Sequence, residues 1–239
     1  MKILHNCIVI ACVLSHLPGT SVFAQGTFQN LDFESASVAP SPPAGYPNPV
    51  SISAAIPGWM AFLGSSQQSQ AQYNTTTLGV PSISLLGPTW NQSLPGIIDG
   101  KYSVILQSGN NIDSGSGPQS ASIEQNGTVP LFAQSLQFKA FSEGVLSVSF
   151  AGNTFQPSVL ASAVAPSGQA YDIYGVNISA FAGQTGELQF TENFDQNYPF
   201  TVLDDIAFSS SAVPEPGPLV LTGIGGLLFG FYRRLLLKH

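Results

Sequence analysis

Apolar and polar residues alternate with a period of two in several short stretches of the central part of the chain. In the clearest stretch, Leu146, Val148 and Phe150 are separated by single serines. This period is typical of β-strands with one buried and one solvent-facing side. The pattern predicts eight strands, at 82–86, 102–107, 121–125, 136–140, 146–150, 172–178, 187–191 and 201–208.

Turn-forming residues separate these strands, and no stretch of the middle region carries an apolar stripe of helical period over three turns. The chain has 24 glycines and 18 prolines, which suits many short strands joined by turns. We therefore predict an all-β antiparallel sandwich of two packed sheets. A jelly roll is favoured over an immunoglobulin-like topology because the chain has no Cys-Trp-Cys framework. The proline-rich stretch 39–50 is predicted to be an irregular surface connection.

The first 24 residues are organised like a secretory signal peptide. Lys2 provides a positive start, 8–14 an apolar stretch, and Val22-Phe23-Ala24 a small-residue cleavage site. The alternative is a lipobox with an acylated Cys12, but the apolar run before that cysteine is short and interrupted by polar residues. We expect the mature chain to begin at Gln25, so that 25–211 forms the exported domain.

Residues 212–239 combine three features in a fixed order: a Pro-Glu-Pro motif, an uncharged apolar run and a basic end. The residues that carry the motif and the basic end are Val213, Pro214, Glu215, Pro216, Arg233 and Arg234. The order resembles the PEP-CTERM sorting signal. The resemblance implies recognition by exosortase, a membrane protease that removes the tail and passes the protein to the envelope or the extracellular matrix.

The apolar run 219–232 predicts a weak membrane anchor. A helix satisfies its own backbone in lipid, and the following arginines are expected to keep the C-terminus cytoplasmic. Fourteen residues at about 1.5 Å each span roughly 21 Å, against a hydrocarbon core of about 30 Å. Extension to Leu237 requires the arginines to snorkel, which predicts transient retention in the inner membrane. The alternative, a core helix of the folded domain, is disfavoured by the double arginine.

The region between the two ends is acidic. Its only cations, between Gln25 and Val213, are Lys101 and Lys139, against twelve carboxylates. Nucleic-acid affinity depends on Lys and Arg displacing counterions from phosphates, so this balance excludes nucleic acid as a partner. Divalent cations and neutral glycans remain as candidate partners.

Five short motifs follow one another at 30–34, 56–59, 99–102, 123–125 and 203–206. Their order resembles the galactose-binding-like jelly roll of many carbohydrate-binding modules. That resemblance implies a structural calcium ion where the first and last strands meet, held by Glu34 and Asp204, with Asp205, Asp32 and the Lys101 carbonyl as further ligands. Calcium takes six to eight oxygens, which an acidic exported chain supplies. The alternative is that these carboxylates are solvated strand ends.

Sugar-binding modules stack aromatic rings on pyranose rings, and the chain has two tryptophans. Trp90 is the predicted ligand-binding residue because it lies in a turn-rich stretch beside polar amides, and Tyr46 and Tyr73 are candidate assistants. Trp59, near a predicted strand start, is expected to be buried. Each of these aromatics also fits a role in capping the sandwich.

Enzyme-like chemistry is poorly supported. All three histidines and both cysteines lie in the two predicted end signals, which excludes Ser-His-Asp, Cys-His and histidine-zinc sites from the exported domain. We therefore predict no catalytic residues and a non-enzymatic protein of the envelope or exopolysaccharide matrix. The alternatives are a carbohydrate-binding module that recognises a polysaccharide and, third, a glycoside hydrolase, which needs only two carboxylates.

Overall fold

The computed structural model describes residues 26–38, 47–77, 79–90, 95–111, 117–197 and 199–214. The predicted signal peptide, Tyr46 and the predicted tail from Glu215 onwards lie outside these residues. The described strands are β1 (Pro49–Ser51), β2 (Met60–Leu63), β3 (Ser66–Gln68), β4 (Gln70–Tyr73), β5 (Ser82–Leu86), β6 (Ser103–Gln107), β7 (Gly109–Asn111), β8 (Gly117–Gln119), β9 (Ala121–Thr128), β10 (Ser135–Ser142), β11 (Leu146–Phe150), β12 (Asn153–Phe155), β13 (Ser158–Val164), β14 (Ala170–Asn177), β15 (Thr185–Glu192) and β16 (Phe200–Ser209). One helical turn, α1 (Ile52–Ala55), follows β1, and a short 3-10 turn (Ser179–Phe181) precedes β15.

All eight predicted strands are present, and their ends differ from the prediction by at most three residues. Most of the strands that the pattern did not predict have three or four residues, too few for a period of two to stand out. The exception is β13, which has seven residues exposed on both sides and therefore no alternation. The prediction of an irregular connection at 39–50 was wrong at its end, because Pro49 and Val50 pair with β4.

The strands form a β-sandwich. We call the sheet with strand order β1-β4-β5-β6-β16-β10-β14-β13 the long sheet and the sheet with order β12-β11-β15-β9-β2-β3 the short sheet. A hairpin of β7 and β8 stands apart from both sheets. The prediction of purely antiparallel sheets was wrong at one pair, because β4 and β5 run parallel.

The core lies between the two sheets and is rich in aromatic side chains. Trp59 is 4% exposed, as expected, and its indole N–H donates to the backbone oxygen of Asn30 at 3.0 Å. The ring of Phe190 contacts Trp59 and Phe138 edge to face, with centroids 6.3 and 5.2 Å apart. Such contacts add to the apolar area that each ring buries. Trp59 therefore ties the N-terminal segment 26–38 to the core.

A second apolar cluster lies on the outer side of the long sheet. Leu86, Ile105 and Val202 come from three adjacent strands, and Ile98 packs on them from the preceding loop. The loop around 95–102 therefore covers part of this side.

The described part of the chain contains no helix with the length and apolar character of a membrane span.

A β-bulge in β16 sets the position of two acidic residues. Three steps along β16, from Asp204 to Ala207, oppose two steps along β10, from Lys139 to Gln137. Asp205 adopts a φ of 44° at this point. Because Leu203 and Ile206 on either side both face the core, the bulge places Asp204 and Asp205 together on the outer side, opposite Lys139.

Candidate functional site

The open end of the long sheet forms a groove. β13 is the edge strand, and its side chains are mostly exposed on both faces, so the short sheet does not cover it. The inner face of β14 and β13 lines a depression of about 450 Å³. A neighbouring depression of about 220 Å³ shares Ser142 and Tyr174 with it. We call the two together the groove.

Three polar side chains meet in the groove. The Ser162 hydroxyl donates to Asp172 Oδ1 at 2.5 Å, and the Tyr174 hydroxyl lies 3.4 Å from Asp172 Oδ2. All three side chains are on the inner face, because Asp172 pairs with the core residue Ala140 and with Ser162, and Tyr174 is two residues further along β14. The groove therefore presents a carboxylate held between two hydroxyl groups.

Tyr174 is fixed by the core beneath it. Its ring stacks on Phe138, with centroids 5.4 Å apart and an angle of 15° between the planes. Burial raises the pKa of Tyr174, and the Asp172 carboxylate raises it further. The phenol therefore stays protonated at neutral pH and can donate a hydrogen bond, while its ring offers a rigid apolar wall.

The chemistry of the groove suits hydroxyl-rich neutral ligands. Carboxylate, hydroxyl and phenol groups supply both acceptors and donors beside an aromatic ring, which is the composition of many small-molecule sites. Among the residues that line its two depressions, none is basic and Asp172 is the only carboxylate. The sequence does show that Asp172 and Tyr174, two residues apart, lie on the same face of a predicted strand. That pattern predicts a face packed inside the sandwich, and it does not indicate a groove.

Trp90 lies elsewhere. It is half-buried against the outer apolar cluster, and its indole N–H donates to the Pro95 backbone oxygen at 2.6 Å. Two depressions of about 340 and 380 Å³ on this outer side share Pro95, Glu143 and Phe200. The tryptophan predicted as a ligand contact thus borders the outer side of the long sheet and does not join the groove.

Tyr73, another predicted ligand contact, is in the core and 4% exposed. Its hydroxyl approaches Gly87 so closely that a Cβ at that position would lie 2.5 Å from it. A glycine is required there for this packing. The structure therefore does not bring Tyr73 together with Trp90 at a surface, and Tyr46 is outside the described residues.

The predicted calcium ligands are drawn together by one loop, 99–102. Glu34 Oε1 accepts from the backbone N–H groups of Lys101 and Tyr102, at 2.6 and 3.0 Å. Gly100 has a φ of +56°, and a Cβ on it would lie 2.3 Å from Glu34 Oε1. The N-terminal segment is thereby attached to the loop. Asp32, also a predicted ligand, is exposed and accepts locally from the Glu34 N–H.

Asp204 is buried beneath the same loop, with 1% exposure. Its carboxylate accepts from the Ser103 hydroxyl at 2.5 Å and from the N–H groups of Asp99 and Asp205 at 3.0 and 2.7 Å. Burial raises the pKa of Asp204 to about 7, although these three donors favour the ionised form. Asp204 therefore acts as the hub of a hydrogen-bonded closure.

Lys139 supplies the positive charge of this region. Its ammonium group contacts the carboxylate of Asp99 and lies 2.8 Å from Asp205 Oδ2. Burial alone would lower the pKa of Lys139, but the two carboxylates raise it well above its usual range, and Lys139 in turn lowers the pKa of Asp99. We call Glu34, Asp99, Asp204, Asp205 and Lys139 the closure cluster.

The predicted calcium ligands Glu34 and Asp204 already accept hydrogen bonds from protein N–H and O–H groups. Calcium takes six to eight oxygens that point to one centre. Over the described part of the chain, no group of three or more His, Cys, Asp or Glu side chains is placed to share a metal ion. The predicted ligands Glu34 and Asp204 both bind the loop 99–102 and its flank, and the predicted ligand Asp205 pairs with Lys139, which the sequence did not indicate.

Comparison with known proteins adds one structural neighbour. No protein-family model matches the chain, and no curated protein matches it. A solved structure of TmCBM61 in complex with beta-1,4-galactotriose resembles it with a TM-score of 0.41 and 13% sequence identity, covering 78% of this chain and 99% of the other. A similarity of this size transfers no binding residue from that module to this chain.

Proposed function

We propose that this protein is an exported, non-enzymatic component of the envelope or exopolysaccharide matrix whose sandwich binds a neutral polysaccharide in the groove. The observation that carries the proposal is the placement of Asp172 between the hydroxyls of Ser162 and Tyr174 in an open groove. Each carboxylate oxygen there retains capacity to accept from a sugar hydroxyl. The Tyr174 ring provides the apolar surface against which a pyranose packs.

The charges of the domain support a neutral ligand. The groove lining contains no lysine or arginine to pair with a uronate or phosphate group, and the partly exposed Asp172 carboxylate would repel an acidic ligand. Acidic polysaccharides are therefore expected to bind weakly. Hydrolysis needs a second carboxylate about 5 to 9.5 Å from the first, so the single Asp172 of the groove favours binding over cleavage.

The sorting proposal is supported by the sequence order at the C-terminus and by the position of Val213 beside the folded body. The Ser135 hydroxyl donates to the Ser211 backbone oxygen at 2.7 Å, and Val213 packs beside Gly175. Val213 and Pro214 thus follow the folded body without a long spacer. We propose that the tail is recognised by an exosortase-type protease there; an intact mass for envelope-derived protein that includes residues 217–239 would contradict this processing.

Binding is tested with the full-length chain in pull-down and titration against insoluble and soluble neutral polysaccharides, with an acidic polysaccharide as comparison. Asp172→Asn removes the carboxylate and keeps its shape. We expect it to weaken binding by about tenfold, because a charged hydrogen bond contributes about 1.5 to 3 kcal/mol. If the wild-type protein bound none of the neutral polysaccharides, the proposal would be wrong.

Glu143→Gln is the matched control. It removes the same charge from an exposed residue that borders the outer depressions and lies outside the groove. Its affinity is expected to equal that of the wild type. If Glu143→Gln or Trp90→Ala weakened binding while Asp172→Asn did not, the ligand site would be on the outer side of the long sheet.

A further inference from the structure

The closure cluster contains its own cation. Lys139 projects from β10 and contacts carboxylates from two other parts of the chain, Asp99 in the loop and Asp205 in β16. We propose that the Lys139 ammonium occupies the place of a metal ion in this cluster, so that the closure of the sandwich does not depend on calcium. The proposal concerns folding and is independent of the proposed glycan binding.

The cluster joins segments that are far apart in sequence. Lys139 bridges the loop to β16, and Glu34 binds the same loop from the N-terminal segment. The N–H of Ile206 also donates to the Leu31 backbone oxygen at 2.9 Å. The first described segment, the loop and β16 therefore meet at one point. A bound cation at such a point typically stabilises the fold by linking carboxylates that would otherwise repel each other.

The neighbouring carboxylates are arranged for a monovalent ammonium group. Lys139 is the least exposed of the three residues: 18% of its side chain is exposed, against 54% for Asp99 and 45% for Asp205. Asp204, the third carboxylate, is compensated by three neutral donors instead. A lysine carries a compact charge with three donors and no acceptor, so it can bridge two carboxylates but cannot serve as a ligand. Its presence excludes a calcium ion from the position that it holds.

The positive φ of Asp205 supports this role. A left-handed conformation is unfavourable for a residue with a side chain. It is held here because the Asp205 N–H donates to Asp204 Oδ1 at 2.7 Å while its carboxylate pairs with Lys139. The bulge thus places Asp205 where its carboxylate meets Lys139, which lies opposite Asp204 in the register.

Thermal unfolding of the full-length chain, in calcium and in chelator, tests the proposal. We expect the wild-type Tm to agree within about 1 °C between the two conditions, since a ligand that does not bind the folded state cannot stabilise it. Lys139→Ala leaves Asp99 and Asp205 without their cation. Its Tm in chelator should fall by at least about 4 °C, and calcium should restore at least about half of that fall by entering the vacated position.

Lys101→Ala is the matched control, because it removes the same charge from an exposed lysine near the cluster; we expect neither a fall in Tm nor a response to calcium. Lys139→Arg keeps the charge and should remain insensitive to calcium. If Lys139→Ala does not fold, Asp99→Asn, at an exposed partner, should lower the Tm less and without a calcium response. A wild-type Tm raised by calcium, an unchanged Tm for Lys139→Ala, or a fall that calcium does not reverse would each overturn the proposal.

Discussion

Asp204 and Asp172 have similar first partners and very different surroundings. Each accepts a hydrogen bond from a serine hydroxyl at 2.5 Å, from Ser103 and Ser162 respectively. Asp204 is 1% exposed and receives two further backbone N–H groups, whereas Asp172 is partly exposed in the groove and has, among the described residues, the Tyr174 hydroxyl at 3.4 Å as its one other partner.

The difference shows how burial separates a structural carboxylate from one that is available to a ligand. A buried carboxylate must be satisfied by the protein itself, since an unmet hydrogen bond there is costly. A carboxylate at an open groove keeps acceptor capacity for a partner from solution. Asp204 should therefore control stability, and Asp172 should control binding.

The largest expected effect is on stability. Asp204→Ala leaves three donors without their acceptor, among them the buried Ser103 hydroxyl, and we expect the free energy of unfolding to fall by about 4 kcal/mol. Asp172→Ala should change it by less than about 1 kcal/mol, because water can replace the carboxylate in the groove. Denaturant unfolding of both variants measures the contrast, and equal losses would break the comparison.

The next effect concerns pH. The pKa of Asp204 is raised to about 7 in the folded protein, so the folded state binds a proton that the unfolded state releases near pH 4. The resulting stability is complete below pH 4 and is lost as the pH rises through 7. We expect wild-type stability to fall by about 2 to 4 kcal/mol between pH 4.5 and 8.

Asp204→Asn should flatten this slope, and Asp172→Asn should leave it intact. The buried Glu192, whose pKa burial also raises, contributes in the same direction in every variant, so the difference between variant and wild type is the quantity to compare. Parallel pH profiles for wild type and Asp204→Asn would show that Asp204 is not the titrating group.

A smaller effect is expected from two glycines with positive φ. Gly100→Ala places a Cβ against Glu34 Oε1, which two N–H groups hold in place, whereas Gly168, with a φ of +88°, has open space around it. We expect Gly168→Ala to cost about 1 kcal/mol from backbone strain alone. Gly100→Ala should cost about 2 kcal/mol. Chemical denaturation measures both losses of unfolding free energy. Equal losses would show that Glu34 does not restrict the space at Gly100.

The smallest effect is on affinity. Tyr174→Phe keeps the ring on Phe138 and removes the hydroxyl near Asp172. We expect binding of a neutral polysaccharide to weaken by about twofold to fivefold, because a neutral hydrogen bond contributes about 0.5 to 1.5 kcal/mol. The Tm should not change. Calorimetric titration measures the affinity, and a larger loss than that of Asp172→Asn would reverse their ranking.

The sequence predicted every described strand of five or more residues except β13, whose two faces do not differ, and missed the strands of three or four residues. Leu146–Phe150 has the predicted bounds because its alternate residues reach the core, while β13 has no such difference to read. The resemblance pointed to Glu34, Asp204 and Asp205 as calcium ligands, and their binding of calcium stays a prediction. It could not indicate Lys139, since the opposition of Lys139 to Asp204 depends on a register that a single bulge sets.

The groove was also beyond the reach of the sequence. It exists because β13 and β14 end the long sheet where the short sheet gives no cover, which depends on strand order and not on local pattern. Asp172 and Tyr174 belong to a strand that was predicted, yet their exposure follows only from the neighbours that the strand has. Trp90, chosen because it lies in a turn-rich stretch, is half-buried because its side chain packs against the outer cluster.

The position of β16 has a mechanical consequence. This strand lies inside the long sheet between β6 and β10, and the chain continues from it directly to Ser211 and Val213. A pull applied through the C-terminal residues would act along the strand axis and load the hydrogen bonds to both neighbours in shear, many at once, instead of peeling them one at a time. A domain pulled at this end would therefore resist unfolding.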